Sequence, residues 1–484
     1  MGFVSALALS QGGIRAQVGP GTDHAIKINP GVDWGKWEGW GCSLCWWAKA
    51  FGNRDDLADL LYTTRTVTLE GQSLPGLGLN IVRYNAGACS WNEVDGAKMA
   101  VSKIIQPFRQ MEGFWLDGKN ADPNSSSWDW SVDANQRAMM LKARDRGADR
   151  FELFSNSPMW WMLSNHNPSG ADDGKADNLP PENHQSHAVY LANVADYATK
   201  HWGITFTSID PFNEPLSNWW NANSKQEGCH FSLLAQTSVL KFLRHELDRR
   251  GLQAMPISAS DDNAYDEALN NWNHFDASTR KFVGQINVHG YQKNKGHRDL
   301  LHQAALTDGK RLWNSEYGEK DPSGLELARN LNLDFHKLHP AAWCYWQAID
   351  GSFKTGWGLI QGDPSTKTIG QANPKYFVLA QYSRHIRPGM TILDSGDPNT
   401  VAAYDATAHK LVLVTLNDGP ARRISYDLSG FAEVKGPIAH WITEPLENSR
   451  YEGHQDTLLA HKSFEAAFPS HAIETFEIAN VTQP

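Results

Sequence analysis

Short apolar runs alternate with longer amphipathic stretches from about residue 38 to residue 385 of this 484-residue chain. The runs at residues 38–44, 79–84, 150–156, 207–213, 255–260, 284–291, 311–316 and 341–347 are of strand length and bounded by turn-forming residues. Between them, apolar positions recur at helical spacing over residues 54–66, 134–147, 187–201, 231–251, 298–306 and 324–338. Eight strands with interleaved helices predict an α/β fold, an eight-stranded (β/α)8 TIM barrel. A doubly wound open sheet is the alternative. It wants a Gly-rich phosphate loop after its first strand, and Gly39-Trp40-Gly41 does not have that form.

Beyond about residue 385 the pattern changes. Residues 401–404, 411–416, 423–428, 438–443 and 471–478 read as short strands separated by Gly, Asp, Asn and Pro, the signature of an all-β sandwich. Residues 25–29 are also strand-like and are expected to pair into it. The resulting division is a barrel over residues 37–385 and a side sandwich built from residues 17–36 plus 386–484. Residues 1–16 read as the remnant of a signal peptide, with a short apolar core at Phe3–Leu9 but no positive start. No internal repeat or low-complexity tract interrupts this plan.

Barrel enzymes carry their chemistry at the C-terminal ends of the strands. There this chain places Asn213-Glu214-Pro215 after the fourth run and Trp313-Asn314-Ser315-Glu316-Tyr317 at the seventh. Two carboxylates so placed are the minimum equipment for retaining glycoside hydrolysis: one protonates the leaving oxygen and the other attacks the anomeric carbon. Their environments must set the two pKa values apart, the acid protonated and the nucleophile ionised. Asn213 is placed to hold a sugar hydroxyl beside the reaction centre. Glu319 competes with Glu316 but lies past the strand, where a solvated loop is expected.

Arg83 sits in an otherwise apolar strand, Asn80-Ile81-Val82-Arg83-Tyr84-Asn85, and needs an ionic partner there. It either bonds the nucleophile or forms an internal structural pair. Tyr291, at the end of the sixth run, is a second donor to Glu316, and His289 either lines the cleft or packs. Trp346, near the end of the eighth, is a candidate sugar platform.

Composition fits this picture. With 44 Lys plus Arg against 54 Asp plus Glu, the net charge is -10, which argues against nucleic-acid or anionic-membrane partners and suits a neutral substrate. The 20 Trp residues cluster after predicted strands, as at Trp46-Trp47, Trp160-Trp161 and Trp219-Trp220, where flat apolar faces suit sugar rings or fill the core. No apolar run is long enough for a membrane helix. The five Cys are too few and too odd for a disulfide framework. Cys42-Ser43-Leu44-Cys45 has redox or zinc spacing but no second pair, so buried thiols are expected. His184 and His187 lack a third ligand, and no metal or other cofactor is expected. Sequons at Asn124 and Asn480 are compatible with secretion.

These residues together resemble glycoside hydrolase family 30, from about residue 25 to the end. The similarity lies in Gly39-Trp40-Gly41, Val82-Arg83-Tyr84-Asn85, Ser155-Asn156-Ser157-Pro158 with Trp160, Asn213-Glu214-Pro215, Ser315-Glu316 and the passage from Gln381 to Gly389. The resemblance implies Glu214 as acid/base on strand four and Glu316 as nucleophile on strand seven. Around this pair, Arg83, Asn213, Tyr291, His289, Trp47, Trp160 and Trp346 are the residues expected to bind substrate. The tract from Gly41 to Ala48, with Trp46-Trp47-Ala48 after the first strand, is most similar to the endo-β-1,6-galactanase branch. Glucosylceramidase and β-1,6-glucanase branches tend to carry an acidic residue there. A glucuronoxylan specialist should offer an Arg-rich loop after strand seven or eight, and Asp350-Gly351-Ser352-Phe353-Lys354 has no Arg. The expected protein is a secreted monomer acting on a polysaccharide or oligosaccharide. The runners-up are a β-1,6-glucanase or xylanase of the family, and then a non-catalytic carbohydrate-binding barrel. Both glutamates being present counts against the last.

Overall fold

A computed structural model describes residues 23–350 and 356–484. The proposed signal remnant and most of the loop 350–354 lie outside the described residues.

Eight parallel strands close into a barrel in chain order: β1 (Gly39–Ser43), β2 (Ile81–Asn85), β3 (Arg150–Phe154), β4 (Ser208–Asp210), β5 (Ile257–Asp262), β6 (Val283–His289), β7 (Arg311–Tyr317) and β8 (Ala342–Gln347). β8 pairs with β1, so the sheet has no edge. Helices α1 (Asp55–Tyr62), α2 (Ala134–Arg144), α3 (His184–Tyr197), α4 (Leu233–Arg249), α5 (Tyr265–His274), α6 (Arg298–Thr307), α7 (Leu325–Leu333) and α8 (Pro374–Ser383) follow the strands one by one. The expected TIM barrel is the observed one. Its strands are buried on both faces, one covered by the helices and one by the barrel's own interior.

The differences from the expected elements have local causes. β4 was expected to run to residue 213 but stops at Asp210, because Pro211 has no N–H for the ladder. Asn213 and Glu214 therefore sit in a loop rather than on the strand. α5 is hidden in the sequence by its polar residues, although Tyr265, Ala268, Asn271 and Trp272 form one buried face. α8 shows no amphipathic period because almost every side chain in it is buried. It lies between the barrel and the side sheets, with Gln381 donating to Thr443 Oγ1 at 2.9 Å and accepting from Thr475 Oγ1 at 2.6 Å.

The C-terminal part forms two facing sheets of seven and three strands. The N-terminal segment supplies one strand to each: His24–Lys27 pairs in parallel with Arg422–Asp427, and Asn29–Lys36 pairs antiparallel with Thr391–Asp394. Between the sheets lies a separate core in which Tyr426, Phe464, Phe468 and Phe476 pack ring on ring. Ser463–Phe468 alternates strictly between exposed and buried, the period of a half-buried strand, and is a strand missing from the sequence reading.

Candidate active site

The C-terminal ends of β4, β6 and β7 bring Glu214, His289 and Glu316 together. Each offers one nitrogen or oxygen within 4.8 Å of the others, and all three are buried. Glu214 takes a left-handed backbone with φ of 48°, a conformation that costs a non-glycine residue about 1–3 kcal/mol. Its N–H donates to the carbonyl of Asp261 on β5 at 2.9 Å, which ties the loop to the barrel. The Glu214 carboxylate accepts from Asn263 Nδ2 at 2.7 Å and from Trp219 Nε1 at 3.2 Å. His289 Nδ1 lies 3.1 Å from its Oε1 and 3.5 Å from Oε1 of Glu316.

Glu316 projects from β7. The Tyr291 hydroxyl donates to its Oε1 at 2.8 Å, and Arg83 Nη1 donates to its Oε2 at 3.2 Å. Arg83 also donates from Nε to Glu152 at 2.9 Å and from Nη2 to Asp261 at 2.5 Å. The two readings of Arg83, a bond to Glu316 and an internal ion pair, thus hold at once. Glu152 is in turn bonded by Ser208, Ser258 and Asn287. A hydrogen-bonded polar layer, rather than the usual branched apolar one, fills the barrel beneath the two glutamates.

Burial pulls the His289 imidazole towards neutrality, but Glu316 and Asp261 outweigh it and hold the ring well above its ordinary pKa. Both ring nitrogens lie 3.1 Å from a carboxylate oxygen, Nδ1 from Glu214 and Nε2 from Asp261, a setting that favours the charged imidazolium. Although Glu214, His289 and Glu316 have the spacing of a metal site, a divalent ion would meet this imidazolium and the Arg83 guanidinium. Burial pushes the Glu316 carboxyl up to about 7, and the imidazolium and guanidinium pull against that push. The upward push thus falls on the carboxyl that the sequence reading expects to be ionised. Arg83, His289 and Tyr291 are the groups that favour its charged form.

The pair opens into a cavity of about 650 Å³ whose walls include Trp46, Trp219, Trp220, Trp346 and Trp357. Asn213 lines it too, and its Oδ1 has no partner among the described residues, which leaves an acceptor for a sugar hydroxyl. Trp46 and Trp346 meet edge to face with centroids 5.1 Å apart. Arg109 covers Trp46 at 4.4 Å.

Not every expected residue is there. Trp47 is fully buried in the core, its Nε1 donating to Ser43 O at 2.8 Å, and its neighbour Trp46 is the one that faces the cavity. Adjacent residues entering a helix point roughly 100° apart, so only one of the two rings can do so. Trp160 is likewise buried against Ser90 Oγ at 2.7 Å. Glu319 is not solvated: it is buried and paired with Lys375 from α8. All five Cys are buried free thiols, and burial pushes that of Cys42 up to about 12. His187 is buried against Pro211 O, and burial pulls it down to about 4.

Sequence reasoning missed Asp261, Asn263 and Arg109. The signal for the first two was present. Asp261-Asp262-Asn263 directly follows the fifth apolar run, the position searched for polar residues after the other strands.

An eight-stranded βα barrel with two facing glutamates in a Trp-walled cavity defines a glycoside hydrolase. The family model of O-glycosyl hydrolase family 30 matches residues 23–297, and the chain belongs to that family. It is 53% identical over 463 residues, 95% of either chain, to the endo-β-1,6-galactanase of Hypocrea rufa. An exo-β-1,6-galactobiohydrolase of Bifidobacterium longum is 22% identical over 515 residues, covering 83% of this chain and 33% of that one. The catalytic domain of a family 30 xylanase C from Talaromyces cellulolyticus shares the fold, with a TM-score of 0.69 at 20% identity, over 94% of this chain and 100% of that one. No helix among the described residues is long and apolar enough to cross a membrane.

Proposed function

We propose that the protein is a retaining endo-β-1,6-galactanase that cuts the β-1,6-galactan side chains of plant arabinogalactan. The observation that carries the reaction is the facing pair, with one oxygen of Glu214 and one of Glu316 within 4.8 Å. Retaining enzymes keep their carboxyls about 5–5.5 Å apart, and inverting enzymes need roughly 6.5–9.5 Å to admit a water between them. In the first step Glu214 gives its proton to the glycosidic oxygen as Glu316 attacks the anomeric carbon, so the C–O bond breaks and a glycosyl ester forms. In the second Glu214 takes a proton from water, whose oxygen displaces Glu316 from the same carbon. Two inversions restore the starting configuration.

The identity to the Hypocrea rufa galactanase supports the galactan substrate, and several Trp faces along one cavity support internal cutting. The substrate lies outside the cell, so the reading includes secretion, and the enzyme acts as a monomer. Trp346 serves as a platform for a sugar ring. Trp346→Ala is expected to raise KM for galacto-oligosaccharides about tenfold, equivalent to roughly 1.4 kcal/mol, with a smaller change in kcat.

The test is product analysis on de-arabinosylated arabinogalactan and on β-1,6-glucan. Short galacto-oligosaccharides of retained configuration, released early and faster than glucan products, are expected. Equal or faster attack on the glucan would overturn the substrate while leaving the mechanism intact. Galactose as the sole early product would overturn internal cutting.

A further inference from the structure

Asp261 contacts Arg83, His289, Ser315 and the Glu214 backbone without lining the cavity. It is fully buried on β5. Its Oδ2 accepts from Arg83 Nη2 at 2.5 Å, and its Oδ1 lies 3.1 Å from His289 Nε2 and accepts from Ser315 Oγ at 2.5 Å. Its backbone carbonyl accepts the Glu214 N–H at 2.9 Å. Ser315 precedes Glu316, so one residue bonds the backbone of one glutamate, the neighbour of the other and Arg83, and lies within ion-pair distance of His289. Its own backbone is left-handed, with φ of 59°, and it faces Glu214, which is left-handed too. Two such residues side by side are costly, and they persist only where surrounding bonds over-determine them.

We propose that Asp261 is a positioning residue for hydrolysis, fixing His289 with Nδ1 between the two glutamates and holding their two rims in register. The proposal rests on Glu214 and Glu316 being the catalytic pair. The side chain fits the role because a carboxylate can accept from three directions at once. An Asn of the same shape cannot accept from both Arg83 and His289 through separate anionic oxygens. Catalysis depends on such alignment, since small displacements of a reacting group lower kcat while leaving binding of distant sugar rings intact.

The charge of Asp261 also bears on His289. The imidazolium faces Asp261 and Asp262 from β5, Glu214 from the β4 loop, Glu316 from β7, Tyr291 beyond β6, and Glu267 from α5, with Arg83 behind Asp261. Removing one anion from this set makes the imidazolium easier to deprotonate.

The test compares Asp261→Asn, Ser315→Ala and Glu316→Gln with the parent enzyme on β-1,6-galactan, per folded molecule. For Asp261→Asn, kcat is expected to fall at least tenfold with KM within twofold, and the basic limb of the kcat pH profile to move to lower pH. Ser315→Ala, which removes one bond to Asp261 and leaves the charge, is expected to lower kcat severalfold at unchanged KM. It decides the matter should Asp261→Asn fail to fold. Parent-like kcat and pH profile in a folded Asp261→Asn, or in Ser315→Ala when that variant alone is folded, would overturn the proposal. If Glu316→Gln is inactive while Asp261→Asn is fully active, only the role of Asp261 falls. An active Glu316→Gln removes the catalytic pair itself.

Discussion

Glu316→Gln is expected to lower turnover of every substrate by a factor on the order of 10⁴ or more, as removal of a nucleophile does. The amide preserves the volume, but its single oxygen can accept from Tyr291 Oη or from Arg83 Nη1 and not from both, as the two carboxylate oxygens did; the shape is kept, so the fold should survive. What is lost is the attacking charge, and no leaving group compensates for that. Glu214→Gln should behave differently. Acid help matters in proportion to how badly the leaving oxygen needs a proton. Galactan hydrolysis should therefore collapse, while an aryl galactoside with a good leaving group should still form the glycosyl ester, which then accumulates because its hydrolysis lacks a base. Mass spectrometry of the protein after mixing with such a substrate separates the two variants. A covalent adduct on Glu316→Gln, or near-normal turnover of the aryl glycoside by it, would show the roles to be misassigned.

How much of this was legible in the sequence depended on how local the cause was. The barrel was readable because each strand is a short apolar run and each gap holds a helical period. The shortened β4 was readable in principle, since Pro211 marks where the ladder must stop. α8 was not, because its burial by two different parts of the chain erases the amphipathic signal. In the site, the positions of Glu214, Glu316, Tyr291 and Arg83 followed from strand ends alone, and the structure brings them together. The Trp positions did not follow. Trp46 and Trp47 are adjacent and identical in type, and only the direction of the chain after β1 decides which faces the cavity. Asp261 was visible as a polar residue after a strand, but its role was not, because its bonds reach Arg83 and Ser315, 178 and 54 residues away. A sequence window shows a carboxylate after a strand but not what it touches.

Arg83 carries the second large effect, and the structure changes what is expected of it. A guanidinium serving Glu316 alone would be a matter of activity more than stability. This one also neutralises Glu152 and Asp261, all within the closed barrel. Arg83→Met, which keeps the length and removes the charge, should cost about 3–5 kcal/mol of stability at neutral pH as well as most of the activity. The loss should depend on pH in a definite direction. In the parent, burial raises the Asp261 carboxyl, but Arg83, His289 and Ser315 outweigh it and hold it well below the usual range. A depressed carboxyl stabilises the fold above its unfolded pKa of about 3.9, and that contribution fades as pH falls. Without Arg83, burial prevails at Asp261, and Glu316, which burial already pushes up to about 7, loses one of the two cations that hold it down. Groups raised in that way stabilise the fold at low pH and forfeit the contribution as pH climbs through the folded pKa. Both changes make the difference between parent and variant grow from acid to neutral pH. Urea unfolding of the two proteins at pH 5 and pH 7.5 measures it, and the gap should be clearly larger at pH 7.5. An equal gap at both values would mean that Arg83 stabilises the barrel by packing rather than by charge, and that Asp261 and Glu316 do not depend on it for their ionised forms.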